Sequence, residues 1–219
     1  MKIFLFVLLV TGGVSCCFAQ KHEVVLDKEF FLLGTLDEYL GRREDATNSV
    51  VDWYYPHEGF VVRVLDSLLK KEYPGLECET EGSGHKQLLS KKLAGKVNDY
   101  FSKDGVREGS FMGAKLKKGI FKTDEQKYSY LAGVFLRYGF LVKNDFRIQF
   151  ANAADKAELC KALFEELGCN VKFESLKTIP RANKFYFTPE GKLEEYLLKA
   201  VMMRGNLSQR WEKWGSMPR

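Results

Sequence analysis

The sequence predicts an α+β fold that contains two copies of one unit, each in the order helix–strand–strand–helix–strand–strand–helix. Two apolar helical runs, FFLLGTLDEYLG (30–41) and YSYLAGVFLRYG (128–139), each contain an internal glycine and end in a glycine. A segment with alternating β-branched and aromatic residues follows each run, as in VVDWYY (50–55) and FRIQF (146–150). Because side chains alternate between the two faces of a strand, this period of two indicates strands in both copies.

Each strand segment has one face that is expected to point inward. That face carries Val51, Trp53 and Tyr55 in the first copy, and Phe146, Ile148 and Phe150 in the second. The strand expected just before the first segment, in GRREDATNS, has the weakest β pattern of the series.

An amphipathic helix follows each of these strands. Apolar residues recur at spacings of three and four in residues 60–75 and 155–168, and each run stops at a glycine, Gly75 or Gly168. Short extended runs, a polar turn and a last helix complete each copy. Neither copy can complete a core alone, so we expect the two to pack together through one shared face.

The chain length and composition are those of a globular protein. It has 219 residues, of which 45% are apolar and 29% are charged, and its formal net charge is +5. No apolar run after residue 19 approaches the roughly 20 residues of a membrane-spanning helix. We therefore expect a monomer without a transmembrane segment. The mild positive charge allows a nucleic acid or another anionic partner without identifying one.

The first 19 residues have the pattern of a secretory signal peptide. Lys2 precedes an apolar run, and Cys17 and Ala19 occupy the small-residue positions that favour cleavage after Ala19. A lipoprotein with lipidated Cys16 fits less well, because Gly13 is a poor match three residues earlier. The sequence thus predicts a secreted or periplasmic protein.

The predicted elements divide the chain into five segments. A stretch with several glycines and many lysines separates the two copies and is typical of a linker. The segments are a signal peptide (1–19), a first repeat (20–101), the linker (102–125), a second repeat (126–201) and a C-terminal tail (202–219). The tail contains Trp211 and Trp214, and either docks on the core or offers an edge to a partner.

The cysteines and histidines indicate no metal site. Cys78, Cys160 and Cys169 have no metal-ligand spacing, and the three histidines are scattered. Either one disulfide with a free thiol, or no disulfide, is compatible with three cysteines in an exported chain. Cys160 lies on an apolar helical face and is expected to pack as a small hydrophobic residue.

The helical run LAGVFLRYG (131–139) resembles the LAGLIDADG helix of homing endonucleases, whose single-chain members carry two αββαββα repeats. LLGTLDEYL (32–40) is a looser copy of the motif. The second repeat is more similar still to the non-cleaving LAGLIDADG domain of the WhiA sporulation regulators. The resemblance covers residues 29–201 and implies two repeats related by a pseudo-twofold axis, which form a saddle of two antiparallel sheets.

In this family the two motif helices cross at the pseudo-twofold axis. The resemblance implies that Gly34 faces Ala132 and Gly133 there, since small side chains let two backbones approach closely.

In the cleaving members, the eighth residue of each motif is an acid, and the two acids hold divalent metals against the scissile phosphates. The eighth residue here is Tyr138 in the second copy and Tyr39 in the first, or Leu40 if the motif is aligned on Gly41. A neutral phenol is a poor ligand for Mg²⁺. The Glu38 carboxylate would reach the pseudo-twofold axis only if the first motif helix packed in a different register. The resemblance therefore implies no catalytic residues and no cofactor. A Mg²⁺ cofactor is expected only if the chain is an active endonuclease.

The family places the concave face of its sheets on a nucleic acid. In the second repeat this face would carry residues that suit phosphates and base edges, although a half-exposed sheet also needs polar residues on its solvent side. The candidate binding residues are Tyr54, Arg147, Gln149, Lys172, Lys177, Arg181, Lys184 and Tyr186. The first repeat offers Glu77, Glu79 and Glu81, with Asp52 on a neighbouring strand, and these carboxylates would repel phosphates.

Two functions follow from these observations. The leading one is an exported, catalytically inactive LAGLIDADG-fold protein that acts as a binding module through its concave sheet face. The alternative is a DNA-binding protein or a metal-dependent LAGLIDADG homing endonuclease.

Overall fold

The computed structural model describes residues 23–37, 49–102, 115–143 and 145–205. Several predictions concern residues outside these ranges. They are the signal peptide, the strand expected in residues 41–48, Glu38, Tyr39, most of the linker and the tryptophan-containing tail.

The first half of the chain contains three helices and three strands among its described residues. They are α1 (Lys28–Thr35), β1 (Val50–Tyr54), α2 (Gly59–Leu69), β2 (Glu77–Thr80), β3 (Lys86–Leu89) and α3 (Lys91–Asn98), with a 3-10 turn at Pro56–Glu58.

The second half contains three helices and four strands. They are α4 (Asp124–Tyr138), β4 (Gly139–Val142), β5 (Asp145–Ala151), α5 (Ala154–Glu166), β6 (Val171–Leu176), β7 (Ala182–Phe187) and α6 (Gly191–Arg204).

Side-chain caps determine where several helices begin. Asp27 accepts hydrogen bonds from the backbone N–H groups of Glu29 and Phe30 at the start of α1. Ser90 caps α3 and Thr123 caps α4 in the same way. Each cap satisfies backbone donors that have no partner inside the helix. Because of the cap at Thr123, α4 starts at Asp124, inside the segment expected to be linker.

The predicted helix ends are correct for α5 and wrong for α2. Gly168 has φ of +69° and follows the last turn of α5, a conformation that favours glycine. In contrast, α2 ends at Leu69, six residues before Gly75. The chain between them forms turns that bury Tyr73, and Pro74 disfavours a helical conformation at the residue before it.

The strands form two antiparallel sheets, as the predicted α+β class requires. The strand order is β1-β3-β2 in the three-stranded sheet and β4-β5-β7-β6 in the four-stranded sheet. In the larger sheet β5 pairs with β7 so that Arg147 lies opposite Tyr186, and β6 pairs with β7 so that Lys172 lies opposite Tyr186. None of the helices in the described residues is both long enough and apolar enough to cross a membrane.

The inward face is predicted correctly for β5 and incorrectly for β1. Phe146, Ile148 and Phe150 are all buried. In β1, however, Asp52 and Tyr54 are buried on the inner side, whereas Trp53 is only half-buried. The pairing of β1 with β3 shifts register between Val50 and Asp52, and such an irregularity reverses the expected alternation of faces.

Helices α1 and α4 pack with their backbones in direct contact. A Cβ atom added to Gly133 would lie 1.9 Å from the Phe31 carbonyl oxygen, and one added to Gly34 would lie 2.1 Å from the Tyr130 carbonyl oxygen. Real side chains do not approach backbone this closely, so both positions need glycine for this packing. Ala132 is fully buried in the same core.

Candidate functional site

The carboxyl-terminal ends of α1 and α4 meet at Arg137, whose side chain is fully buried. Its Nε and Nη2 atoms donate to the two carboxylate oxygens of Glu58, each at 2.9 Å. Nη1 donates to Asp52 Oδ2 at 2.9 Å and to the Thr35 carbonyl oxygen at 2.7 Å. Nη2 also donates to the Trp53 carbonyl oxygen at 3.0 Å. The guanidinium of the second half is thus held by acceptors of the first half.

Three carboxylates surround this guanidinium. Asp52 and Glu58 are buried, and the Asp37 carboxylate lies 3.5 Å from Arg137 Nη2 with 11% of its side chain exposed. The Asp52 carboxylate also accepts from the backbone N–H of Asp37 at 2.9 Å. Desolvation opposes the charge of Arg137, but Tyr138, Glu58 and Asp52 together raise its pKa well above the ordinary value. Arg137 therefore stays charged in the interior.

Two tyrosines flank the guanidinium. The Arg137 carbon Cζ lies 4.5 Å from the Tyr54 ring centre and 5.3 Å from the Tyr138 ring centre. Desolvation, and next the charge of Asp52, raises the pKa of Tyr54. Desolvation also raises the pKa of Tyr138, although Arg137 lowers it. Both phenols are therefore neutral at physiological pH. The Tyr138 hydroxyl donates to the Leu36 carbonyl oxygen at 3.3 Å.

Lys156 of α5 reaches the same end of α1. It is buried, and its Nζ donates to the carbonyl oxygens of Gly34 at 3.1 Å and Leu33 at 3.4 Å. The last carbonyls of a helix lack partners inside it and carry partial negative charge. Lys156, Arg137 and Tyr138 thus satisfy the end of α1 with side chains from the other half.

Arg204 of α6 satisfies the end of α4. Its guanidinium donates to the carbonyl oxygens of Leu136, at 2.9 Å, and Gly139. Burial lowers the pKa of Arg204 to about 10. The guanidinium also lies 5.0 Å from the centre of the Phe60 ring in α2.

This arrangement has the chemistry of a buried ion cluster. Magnesium requires several oxygen ligands in a small octahedral shell. The carboxylates of Asp52 and Glu58 are directed at a guanidinium, and the Tyr138 phenol is used as a donor. Within the described ranges, no group of three His, Cys, Asp or Glu side chains is arranged to hold a metal ion.

A cavity of about 620 Å³ opens beside the end of α1. Its wall includes Leu33, Tyr130 and Leu159, and the ion pairs Lys115–Asp155 (2.7 Å) and Lys127–Glu166 (3.1 Å) lie on its lining. Most of the charged groups around this cavity therefore already have partners of opposite sign.

The open face of the four-stranded sheet carries most of the predicted binding residues. Gln149 and Lys172 are exposed, whereas Arg147, Lys184 and Tyr186 are half-buried. Lys177 and Arg181 are exposed in the connection between β6 and β7. Lys172 pairs with Glu174 at 2.8 Å, and Arg147 Nη2 lies 3.5 Å from Asp145 Oδ2.

Tyr54 is a correction to the predicted set. It is fully buried under α1, where its hydroxyl lies 3.3 Å from Thr35 Oγ1. The irregular register of β1 turns Tyr54 and Asp52 inward, so neither residue belongs to an open face. Asp52 consequently pairs with Arg137 and does not face a ligand.

The three-stranded sheet is acidic along one edge. Glu77 and Glu79 are exposed on β2, the edge strand, together with Cys78. Glu81 follows the strand and accepts a hydrogen bond from Gln87. Cys160 is buried as expected, and Cys78, Cys160 and Cys169 are all free thiols.

Arg137, Glu58, Lys156 and Arg204 are not among the functional residues predicted from the sequence. One signal was available, since Arg137 is a charged residue inside an apolar helical run that is otherwise suited to full burial. A buried arginine needs paired acceptors. Nothing in the order of residues identifies Glu58, 79 positions earlier in the chain, as that partner.

Neither the protein-family models nor the curated proteins compared with the chain match it.

Proposed function

We propose that the chain is a catalytically inactive LAGLIDADG-fold protein that binds an anionic ligand through the open face of its four-stranded sheet. In this proposal the two halves are related by a pseudo-twofold axis and form a saddle. The strand order β1-β3-β2 matches β5-β7-β6 in the second half, which supports this relation. The close approach of α1 and α4 at Gly34 and Gly133 also supports it.

The observation that carries the proposed inactivity is the position of Arg137. Cleavage by this family needs divalent metals at the ends of the two motif helices. Here a buried guanidinium lies at that place and engages Asp52 and Glu58. A metal ion would have to displace a charged arginine from its hydrogen bonds in the interior, which is costly. The cluster is better suited to joining the two halves than to hydrolysis.

The cations of the open face support an anionic ligand. Arg147, Lys172 and Lys184 lie on neighbouring strands of one face, and Lys177 and Arg181 extend the positive region into the adjacent connection. Asp145 and Glu174 offset part of this charge, so we expect moderate affinity that depends on salt.

Binding of fluorescein-labelled heparin, measured by fluorescence anisotropy, tests this proposal. The double variant Lys172→Gln/Lys184→Gln should weaken binding several-fold, and raising the salt concentration should weaken it further. The control Lys161→Gln/Lys118→Gln removes two exposed lysines elsewhere and should leave binding unchanged. Equal losses in both variants, or no binding by the wild type, would contradict the proposal.

A second candidate is a duplex DNA-binding protein or nuclease. The same five cations favour it, because phosphate contacts supply most of the affinity for duplex DNA. The exposed carboxylates of Glu77 and Glu79 on β2 oppose it, because they would repel a duplex that spans both sheets. We expect no nicking of supercoiled plasmid in Mg²⁺. If nicking occurs and Glu38→Gln abolishes it, the proposal that the protein is catalytically inactive is wrong.

Export is part of the proposal. It depends on the predicted signal peptide, and cleavage after Ala19 would make Gln20 the first residue of the mature chain.

A further inference from the structure

One row of side chains crosses all four strands of the larger sheet on its open face. Phe140 of β4 lies opposite Arg147 of β5, Arg147 lies opposite Tyr186 of β7, and Tyr186 lies opposite Lys172 of β6. Paired residues of antiparallel strands project from the same face of a sheet. The row therefore alternates aromatic and cationic side chains from one edge of the sheet to the other.

Tyr186 is placed between two cations. Arg147 Cζ lies 5.3 Å and Lys172 Nζ 5.7 Å from the centre of its ring. The ring is half-buried on a central strand, which holds it in a defined orientation. Tyr186 and Lys172 also border an open depression of about 440 Å³ that is lined by Asn170, Thr188 and Glu190. A nucleobase-sized group fits this space.

Arg147 has a donor that the described residues do not use. Its Nε atom is buried and has no hydrogen-bond partner among them. Its ion pair with Asp145 is long, at 3.5 Å between Nη2 and Oδ2. A buried donor without a partner is costly and rare in proteins. The Arg147 side chain as a whole is 30% exposed, and a phosphate oxygen suits the accessible part of its guanidinium in charge and geometry. A turn of the side chain toward such a ligand would also give Nε an acceptor.

We propose that this row binds single-stranded nucleic acid, with a base stacked on Tyr186 and neighbouring phosphates on Arg147 and Lys172. Single-strand binding sites combine aromatic rings with cations that follow the backbone. In a duplex the base faces are covered by their neighbours, so the Tyr186 ring would contribute nothing. This inference rests on the proposed function, because it names the ligand of the same open face.

Three acids limit the affinity. Glu174 pairs with Lys172 at 2.8 Å, Asp145 lies at the Arg147 end of the row, and Glu190 lines the depression. Lys184 lies on β7 two residues from Tyr186, and Lys177 and Arg181 lie in the connection between β6 and β7, so we expect the backbone of a bound strand to pass them as it leaves the row. The net charge of the face remains positive, which predicts binding that weakens as salt rises.

The test compares three fluorescein-labelled probes by anisotropy. They are an oligothymidylate of about 15 nucleotides, a duplex of the same length, and heparin as a polyanion without bases. Tyr186→Ala removes the ring and leaves the charge, whereas Tyr186→Phe keeps the ring as the matched control. Arg147→Gln removes the guanidinium, with both its charge and its unused donor, without altering the ring. Circular dichroism and the unfolding midpoint establish that each variant is folded.

Tyr186→Ala should weaken oligothymidylate binding by about 10- to 100-fold, the range expected for loss of one stacked base. It should leave heparin binding unchanged, and Tyr186→Phe should stay close to wild type. The inference is overturned if the duplex binds more tightly than the single strand, or if Tyr186→Ala affects heparin and oligothymidylate equally. Heparin binding that depends on Lys172, without any oligothymidylate binding, would overturn the inference and leave the proposed function standing. Failure of all three probes would overturn the proposed function itself.

Discussion

The carboxyl-terminal ends of α1 and α4 present the same unpaired carbonyl groups and are satisfied in different ways. At α1, Arg137, Tyr138 and Lys156 of the other half donate to carbonyls at the helix end, and Thr35 of α1 itself donates to the Leu32 carbonyl. At α4, Arg204 donates from α6 of the same half. The guanidinium at α1 also faces Asp37, Asp52 and Glu58, whereas the contacts of Arg204 described above are with carbonyls and an aromatic ring.

This difference indicates where the two halves depend on each other. The first half contributes three carboxylates to the helix ends, and the cation with which they pair, Arg137, belongs to the second half. In the second half, Arg204 donates to the carbonyls at the end of α4. We therefore expect the first half to lose its buried polar contacts when the two halves separate, and the second half to keep more of its own.

The largest expected effect comes from removing the central cation. Arg137→Met should lower the free energy of unfolding by about 3–5 kcal/mol, because buried carboxylates are left without their partner. Arg204→Met, the matched change at the other helix end, should cost about 1–3 kcal/mol, the range for buried acceptors left unsatisfied. Urea unfolding of both variants measures the difference. Equal losses would contradict the distinction between the two ends.

The second effect tests the contact that brings the helix ends together. Gly133→Ala places a methyl group against the Phe31 carbonyl and should cost about 3 kcal/mol, at the upper end for overpacking. Gly95→Ala is the control. Gly95 lies in the exposed side of α3 with open space around it, so alanine should stabilise the protein by up to about 1 kcal/mol. A neutral Gly133→Ala variant would show that α1 and α4 separate easily.

The smallest effect concerns the phenols beside Arg137. Their folded pKa values are raised, so the stability they contribute is complete below the ordinary tyrosine pKa of about 10 and is lost as the pH rises above it. Tyr54→Phe should cost about 1 kcal/mol at neutral pH and should shift alkaline unfolding upward. Circular dichroism and phenolate absorbance measured against pH follow both changes.

Tyr186→Phe is the control for this titration, because its ring lies on the open face and not beside the buried cluster. It should move the alkaline transition less than Tyr54→Phe does. A larger shift of the alkaline unfolding transition in Tyr186→Phe would show that the phenols beside Arg137 do not cause the loss of stability at high pH.

The sequence alone was sufficient for the element types and for much of the core. Periodicity predicted the inward face of β5 and the amphipathic faces of α2 and α5, whereas the two antiparallel sheets were implied by the family resemblance. Such patterns are local, since each residue type indicates only whether its own position is buried or exposed to solvent. They failed in β1, because a register shift in the pairing with β3 cannot be read from one strand.

Only the tertiary structure decided what occupies the helix ends. Arg137 and Glu58 are separated by 79 positions, yet their side chains share two hydrogen bonds. The sequence determined that a neutral phenol, Tyr138, stands directly before the glycine that closes the run 131–139. That Asp52 and Tyr54 turn inward to meet a guanidinium depends on packing between distant segments. Pairing of buried charges is a property of their shared environment, and no single segment of the chain contains that environment.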